Sequence, residues 1–292
     1  MRRLFRTALV AAVLGLVLPP APGRAGEAGC GGPETPCEVA LGSYFVALPD
    51  AEGGAERRPA VVFFHGGGGY GSRIFESRAA MAALFTARGY VVIAPNGKKR
   101  PGSRWGPGWA FIPQYPPHRD DLAFTRAVLA DAEARFEIDR ARVLITGYSI
   151  GGSIASYLAC WDPSLARAFA PVAGGFWWPH PEDCAGPVRL LHTHGWRDQT
   201  VPPEGRPLGD AGVRQGDIHQ TLARWRDENG CGRLRPDAFV TEGPFWRRIW
   251  TDCAPGTALE FALHAGGHEM PEGWPALAMD WFEGLDAAGA GR

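Results

Sequence analysis

The chain of 292 residues carries almost no net charge: 30 basic residues face 31 acidic ones, and the pI lies near 6.7. Nucleic-acid binding leaves a basic footprint, so this balance excludes that partner class and points to small or neutral ones. The apolar run Ala8 to Leu18 falls short of the ~20 residues that cross a bilayer, so no stable membrane span is expected after its removal. The six cysteines contain no C-x-x-C or C-x-x-H pair, which excludes an ordinary zinc site. No metal and no cofactor is expected. Neither an internal repeat nor a second hydrophobic domain is evident.

What is present begins with Arg2, Arg3 and Arg6 ahead of that apolar run, then prolines and the small-x-small sequence Gly23-Arg24-Ala25. This is the order of an export signal cleaved after Ala25. The expected layout is a signal peptide over 1–25, a loose Gly-, Pro- and Glu-rich lead-in over 26–38, and a single catalytic domain over 39–288. The expected location is secreted, extracellular or periplasmic. Export places Cys30, Cys37, Cys160, Cys184, Cys231 and Cys253 in an oxidising compartment where disulfides form. Six cysteines allow fifteen pairings; neighbours in sequence, 30 with 37, 160 with 184 and 231 with 253, are the expectation adopted.

The apolar content of 45% is ample for a core, and its distribution alternates between strand and helix patterns. Val39–Leu48, Ala60–Phe64, Tyr90–Ala94, Val143–Thr146, Ala168–Val172, Val188–Thr193 and Leu259–Leu263 read as strands. Arg73–Arg88, Asp120–Phe136, Ser153–Cys160, Ile218–Asn229 and Pro275–Leu285 read as helices. Asn96–Pro117 is a long loop, 203–217 a polar one, and Cys231–Cys253 encloses a hairpin. Such alternation implies an α/β fold with a mostly parallel, doubly wound sheet and helices on both faces. Ligands gather at the carboxyl ends of the strands in such sheets, and there the Gly66–Gly69 run, Ser149, Trp177, Asp198 and His268 all fall.

Chemistry centres on Gly147-x-Ser149-x-Gly151, set between a buried strand and a helix of small residues, the pattern of a nucleophile elbow. So sharp a turn strains the Ser149 backbone, and the flanking glycines let strand and helix approach closely. The next amide, that of Ile150, lies at a helix start, where unpaired N–H groups and the helix dipole favour an anion. His65-Gly66-Gly67-Gly68-Gly69 follows a buried strand and lacks the Lys-[Ser/Thr] of a phosphate loop. An oxyanion loop is expected instead, with the Gly67 amide as donor and Gly66 or Gly68 as alternatives.

A serine hydroxyl needs a neighbouring base, and the base needs a third group to orient it. His268 and Asp198 suit these roles; His264, and Asp210 or Asp183, are the substitutes. The order Ser149, Asp198, His268 is that of the α/β-hydrolase fold. His192 and His194 share one face of a strand, either as metal ligands or as support for the Asp198 loop. Trp105, Trp109, Trp177, Trp178 and Trp196 fall in loops near the expected mouth and are candidates to stack on substrate, with core packing the competing reading for each.

Together, His65-Gly66, Pro95-Asn96-Gly97, Asp120-Asp121, Gly147-Tyr148-Ser149-Ile150-Gly151-Gly152, Ala170-Pro171-Val172-Ala173-Gly174, His194-Gly195-x-x-Asp198-x-x-Val201-Pro202 and Gly266-Gly267-His268-x-x-Pro271 resemble the polyhydroxybutyrate depolymerase and feruloyl esterase group of secreted α/β-hydrolases, over roughly residues 40 to 285. The resemblance implies Ser149 as nucleophile, Asp198 and His268 as its partners, and hydrolysis of an ester or polyester through an acyl-enzyme. A polyhydroxyalkanoate-type polyester is the first expectation; a feruloyl or acetyl ester of plant polysaccharide is the alternative. A non-catalytic polymer binder on the same scaffold is the reading from another class. Two departures stand out: the unbroken glycine run Gly66–Gly69, and Glu269-Met270 where Thr-Trp commonly follows the histidine.

Overall fold

The computed structural model describes residues 30–49, 57–209 and 212–290, with side chains as far as 285. The expected export signal at 1–25 and the alternative acid Asp210 lie outside the described residues. In chain order the elements are β1 (Gly32–Val39), β2 (Gly42–Ala47), β3 (Arg58–Phe64), α1 (Arg73–Glu76), α2 (Ala79–Ala87), β4 (Val91–Pro95), α3 (Asp121–Phe136), β5 (Ile138–Tyr148), α4 (Ile150–Trp161), β6 (Ala168–Val172), β7 (Trp177–Trp178), β8 (Arg189–Gly195), β9 (Arg206–Pro207), β10 (Arg214–Gln215), α5 (Ile218–Glu228), β11 (Ala238–Glu242), β12 (Phe245–Trp250), β13 (Ala258–His264) and α6 (Trp274–Ala290).

Ten strands form one sheet in the order β1-β2-β4-β3-β5-β6-β8-β13-β12-β11. The six central strands, β4 to β13, run parallel, and an antiparallel pair closes each edge. Side chains alternate across the sheet, as the pleat requires. Val62, Phe64, Val143, Ile145 and Leu190 pack under α3, α4 and α5 through Phe124, Leu129, Ile154, Leu158 and Trp225. Val61, Phe63, Leu144 and Leu191 face α2 and α6 through Phe85, Trp274 and Phe282. Strands buried on both faces explain the continuous apolar runs of the sequence.

Four expectations are corrected. The lead-in is not loose over its described part: residues 32–39 are β1, because the segment pairs with β2 and buries Cys37 beneath a Cys30–Cys37 disulfide. The first strand begins later than Val39, at Gly42, the turn between having intervened. The helix expected over 73–88 breaks after Glu76, so that α1 and α2 are separate. The polar loop 203–217 holds β9 and β10, which join β7 in a small three-stranded sheet. The cysteines pair as sequence neighbours, adding Cys160–Cys184 and Cys231–Cys253.

Candidate active site

The strand-to-helix turn between β5 and α4 places Ser149 at φ 60°, ψ −125°, a left-handed conformation that costs a non-glycine residue of order 1–3 kcal/mol. The surroundings hold it there. The Ser149 amide donates to Val172 O at 2.9 Å, and the neighbouring glycines leave no room for side chains. A Cβ on Gly151 would approach Phe64 O to 2.0 Å, and one on Gly174 would approach Ser149 O to 2.1 Å. The serine is thereby pinned between β3 and β6 at the carboxyl edge of the sheet.

Two later strand ends deliver its neighbours. His268 Nε2 lies 3.0 Å from Ser149 Oγ, and His268 Nδ1 lies 2.7 Å from Asp198 Oδ2. Asp198 is buried, and its other oxygen accepts the amides of Thr200 and Val201 at 2.9 and 2.8 Å. Burial raises its proton affinity, but the hydrogen bonds from His268 and Val201, with the electrostatic influence of the nearby imidazoles, outweigh that and hold the carboxyl below its ordinary range. An ionised Asp198 favours a proton on His268 Nδ1, leaving Nε2 as the acceptor facing Ser149. The ring is steadied from behind by the Tyr148 hydroxyl, which donates to His268 O at 2.5 Å, with the two rings 4.9 Å apart.

The glycine loop lies opposite. Gly68 and Gly69 donate to Pro107 O and Gly66 O, so their amides are committed, while the Gly66 and Gly67 amides have no such loop acceptor among the described residues. Gly67 faces Ile150, where an added Cβ would sit 3.7 Å from the Ile150 side chain. Gly67 thus lies beside the side chain of the residue that follows Ser149 and opens α4. His65 fixes this loop: Nδ1 donates to Gly66 O at 2.7 Å, and Nε2 accepts from the Gly97 amide at 2.9 Å. That bonding demands a neutral ring, and burial lowers the His65 pKa to about 4.

The aromatic candidates divide. Trp105, Trp178 and Trp196 are exposed at 85%, 51% and 57%, whereas Trp109 and Trp177 are buried at 2% and 6%. The last two pack inside the protein. Trp109 Nε1 donates to His65 O at 3.0 Å and its ring packs edge-on against Phe64, so it props the glycine loop. Trp177 Nε1 reaches Ser153 Oγ at 3.3 Å inside α4. A buried indole is tolerated where its N–H finds an acceptor, and both rings do.

Two of the alternative partners are engaged elsewhere. His264 is buried with Nδ1 accepting from the Gly266 amide, and Asp183 lies beside the Cys160–Cys184 bridge, at the far end of α4 about 15 Å along the helix. His192 Nε2 and His194 Nδ1 share a 3.2 Å hydrogen bond, and His194 Nε2 donates to Val201 O at 2.8 Å, which braces the Asp198 loop. Burial lowers the His194 pKa to about 4. Sequence reasoning missed three contributors: Tyr148, His65, and a fully buried Arg119–Asp121 ion pair at 2.5 Å that ties Asn96 O and the Ala110 amide above the glycine loop. All of these residues except Arg119 stood inside the motifs, but nothing local told which neighbour each would meet.

A sheet of this order, with a serine on the strand-to-helix turn and its histidine and carboxylate brought from later strand ends, defines an α/β-hydrolase fold. The chain belongs to the dienelactone hydrolase family, which it matches over residues 44–206, more than half its length. It is 27% identical over 198 residues to the "Probable feruloyl esterase C" of Aspergillus niger, a match covering 66% of this chain and 60% of that one. It is 24% identical over 248 residues to feruloyl esterase B of Piromyces equi, covering 78% and 42%. The matched stretch thus spans less than two thirds of these relatives. Among solved structures, acetyl xylan esterase from Aspergillus awamori superposes with a TM-score of 0.60 at 18% identity, over 83% of this chain and 94% of that one. The Bacillus cereus carboxylesterase gives 0.56 at 13%, over 84% and 95%. At such identity these two speak for the fold, and the expected kinship with the esterase group of α/β-hydrolases is met by the family match and the feruloyl esterase relatives.

Proposed function

We propose that the protein is a serine carboxylic ester hydrolase working through an acyl-enzyme. The observation that carries this reading is the unbroken chain of hydrogen bonds from Asp198 through His268 to Ser149, at 2.7 and 3.0 Å. In the reaction, His268 Nε2 takes the Ser149 proton as Oγ attacks the ester carbonyl. The oxyanion is held by the Gly67 and Ile150 amides, each such donor being worth ~3 kcal/mol at the transition state. The imidazolium returns its proton to the departing alcohol, Asp198 stabilising the charge, and water activated by His268 then releases the acid.

The feruloyl esterase relatives favour an aromatic or acetyl ester on a carbohydrate over the hydroxyalkanoate polyester. Release of ferulate from a feruloylated sugar, against release of hydroxybutyrate oligomers, separates the two. Labelling of the wild-type chain by a fluorophosphonate probe, lost in Ser149→Ala together with hydrolysis of p-nitrophenyl acetate, is the expected outcome; a Ser149→Ala chain that retains full activity contradicts the mechanism. We also read the protein as exported, since three disulfides suit an oxidising compartment. Sequencing the N-terminus of protein from culture fluid or periplasm should find residue 26 first; cytoplasmic protein with Met1 intact contradicts export.

A further inference from the structure

The small β7-β10-β9 sheet and the start of α5 border an open cavity of about 260 Å³ lined by Trp178, His180, Glu204, Arg214, Asp217 and Gln220. Its walls are chemically unlike the acyl site. One half-exposed indole meets a ring of polar side chains, and among the described residues those of Glu204, Arg214 and Gln220 make no hydrogen bond or ion pair. Asp217 uses Oδ1 to cap α5 through the Gln220 amide at 2.9 Å, leaving Oδ2. The volume falls just below the ~300 Å³ at which pockets for drug-sized ligands begin, which suits a single small ring.

Its Trp178 wall is joined to the neighbourhood of the serine by a short segment of chain. Gly174 abuts Ser149 O, and Trp178 follows it by four residues, so their Cα atoms are at most ~14 Å apart. On the other side Glu204 follows Asp198 within the same loop. A ring bearing several hydroxyls and one apolar face satisfies both kinds of wall: C–H groups pack on the indole, and hydroxyls bond to carboxylate, guanidinium and amide. Two carboxylates beside one guanidinium disfavour an anionic ring.

We propose that this cavity is a sugar-binding subsite that takes one neutral ring of the alcohol portion of an ester held at Ser149, with Trp178 stacking on the ring and Glu204, Arg214 and Gln220 bonding its hydroxyls. The proposal rests on the esterase reading of Ser149 for its substrate, and it names that substrate as a glycosyl ester. Trp178 and Glu204 project from the surface, so their replacement leaves the core intact.

The test has two arms. Full-length Ser149→Ala protein is titrated calorimetrically with xylobiose, cellobiose and glucuronic acid, alone and with Trp178→Ala or Glu204→Gln added. Active protein with the same two changes is assayed on feruloylated xylobiose and on methyl ferulate. A neutral disaccharide should bind, and each change should weaken it about tenfold; the kcat/KM ratio of glycosyl to methyl ester should fall by a similar factor. If neither neutral disaccharide binds and that ratio is the same in all variants while methyl ferulate is cleaved, the subsite is overturned and the esterase reading survives. If a disaccharide binds with the expected losses but no ester is cleaved, the subsite stands and the esterase reading falls. Preferential binding of glucuronic acid also overturns the proposal.

Discussion

The glycine loop and the histidine loop face each other across Ser149, yet they are anchored in opposite ways. The glycine loop is held from inside the core: His65, Trp109 and the Arg119–Asp121 pair are buried, and each bonds to backbone of the loop or of the segment above it. The His268 loop is a partly exposed turn after β13, tied by Arg197 to Ala265 O and Gly266 O and by Tyr148 to His268 O. Donors that stabilise developing charge are useful only if already in place, which favours burial. Buried side chains thus anchor the glycine loop, and hydrogen bonds nearer the surface anchor the loop that carries the imidazole.

The comparison is broken most severely by Asp198→Asn, which keeps the shape but removes the charge that sets the His268 tautomer; kcat should fall by about 10⁴-fold with little change in melting temperature. A melting temperature that collapses alongside would show the carboxylate to be chiefly structural. Trp109→Ala removes a buried indole beneath the glycine loop and should cost about 3–5 kcal/mol in denaturant unfolding. The same truncation at exposed Trp105 should cost less than about 0.5 kcal/mol. Equal losses at the two positions would erase the claimed contrast.

Acid supplies a third test. His65 and His194 are neutral in the fold with pKa about 4, against an ordinary 6.5. For a base whose folded pKa is depressed, stability is complete above the unfolded pKa and lost as pH falls from 6.5 toward 4. The loss should reach about 3 kcal/mol per group, seen as falling melting temperature over that window and lessened in His65→Asn. The smallest effect is expected from Tyr148→Phe: one hydrogen bond to the His268 loop, about 1 kcal/mol, read as a severalfold drop in kcat with little change in melting temperature.

Much of this was legible in the chain. Apolar runs such as Ala60–Phe64 and Val143–Thr146 gave the buried parallel strands, and the glycines around Ser149 gave the elbow, because both patterns are consequences of backbone geometry within a few residues. For Trp109 and Trp177 stacking and core packing both stayed open, because composition and loop position cannot tell a mouth from a core; their burial depends on acceptors, His65 O and Ser153 Oγ, far away in sequence. The lead-in misled for a related reason, since Gly, Pro and Glu read as loose until β2 offers a partner edge.

By itself, then, the sequence determined the kinds of groups and their order along the chain: a serine on a tight turn, an acid and an imidazole after later strands, and an alternation that can only wind into a mostly parallel sheet. Which imidazole meets the serine and which indoles face water were decided only when β3, β5, β8 and β13 lined up side by side. Those outcomes are set by distances between atoms tens of residues apart, and no local preference encodes them.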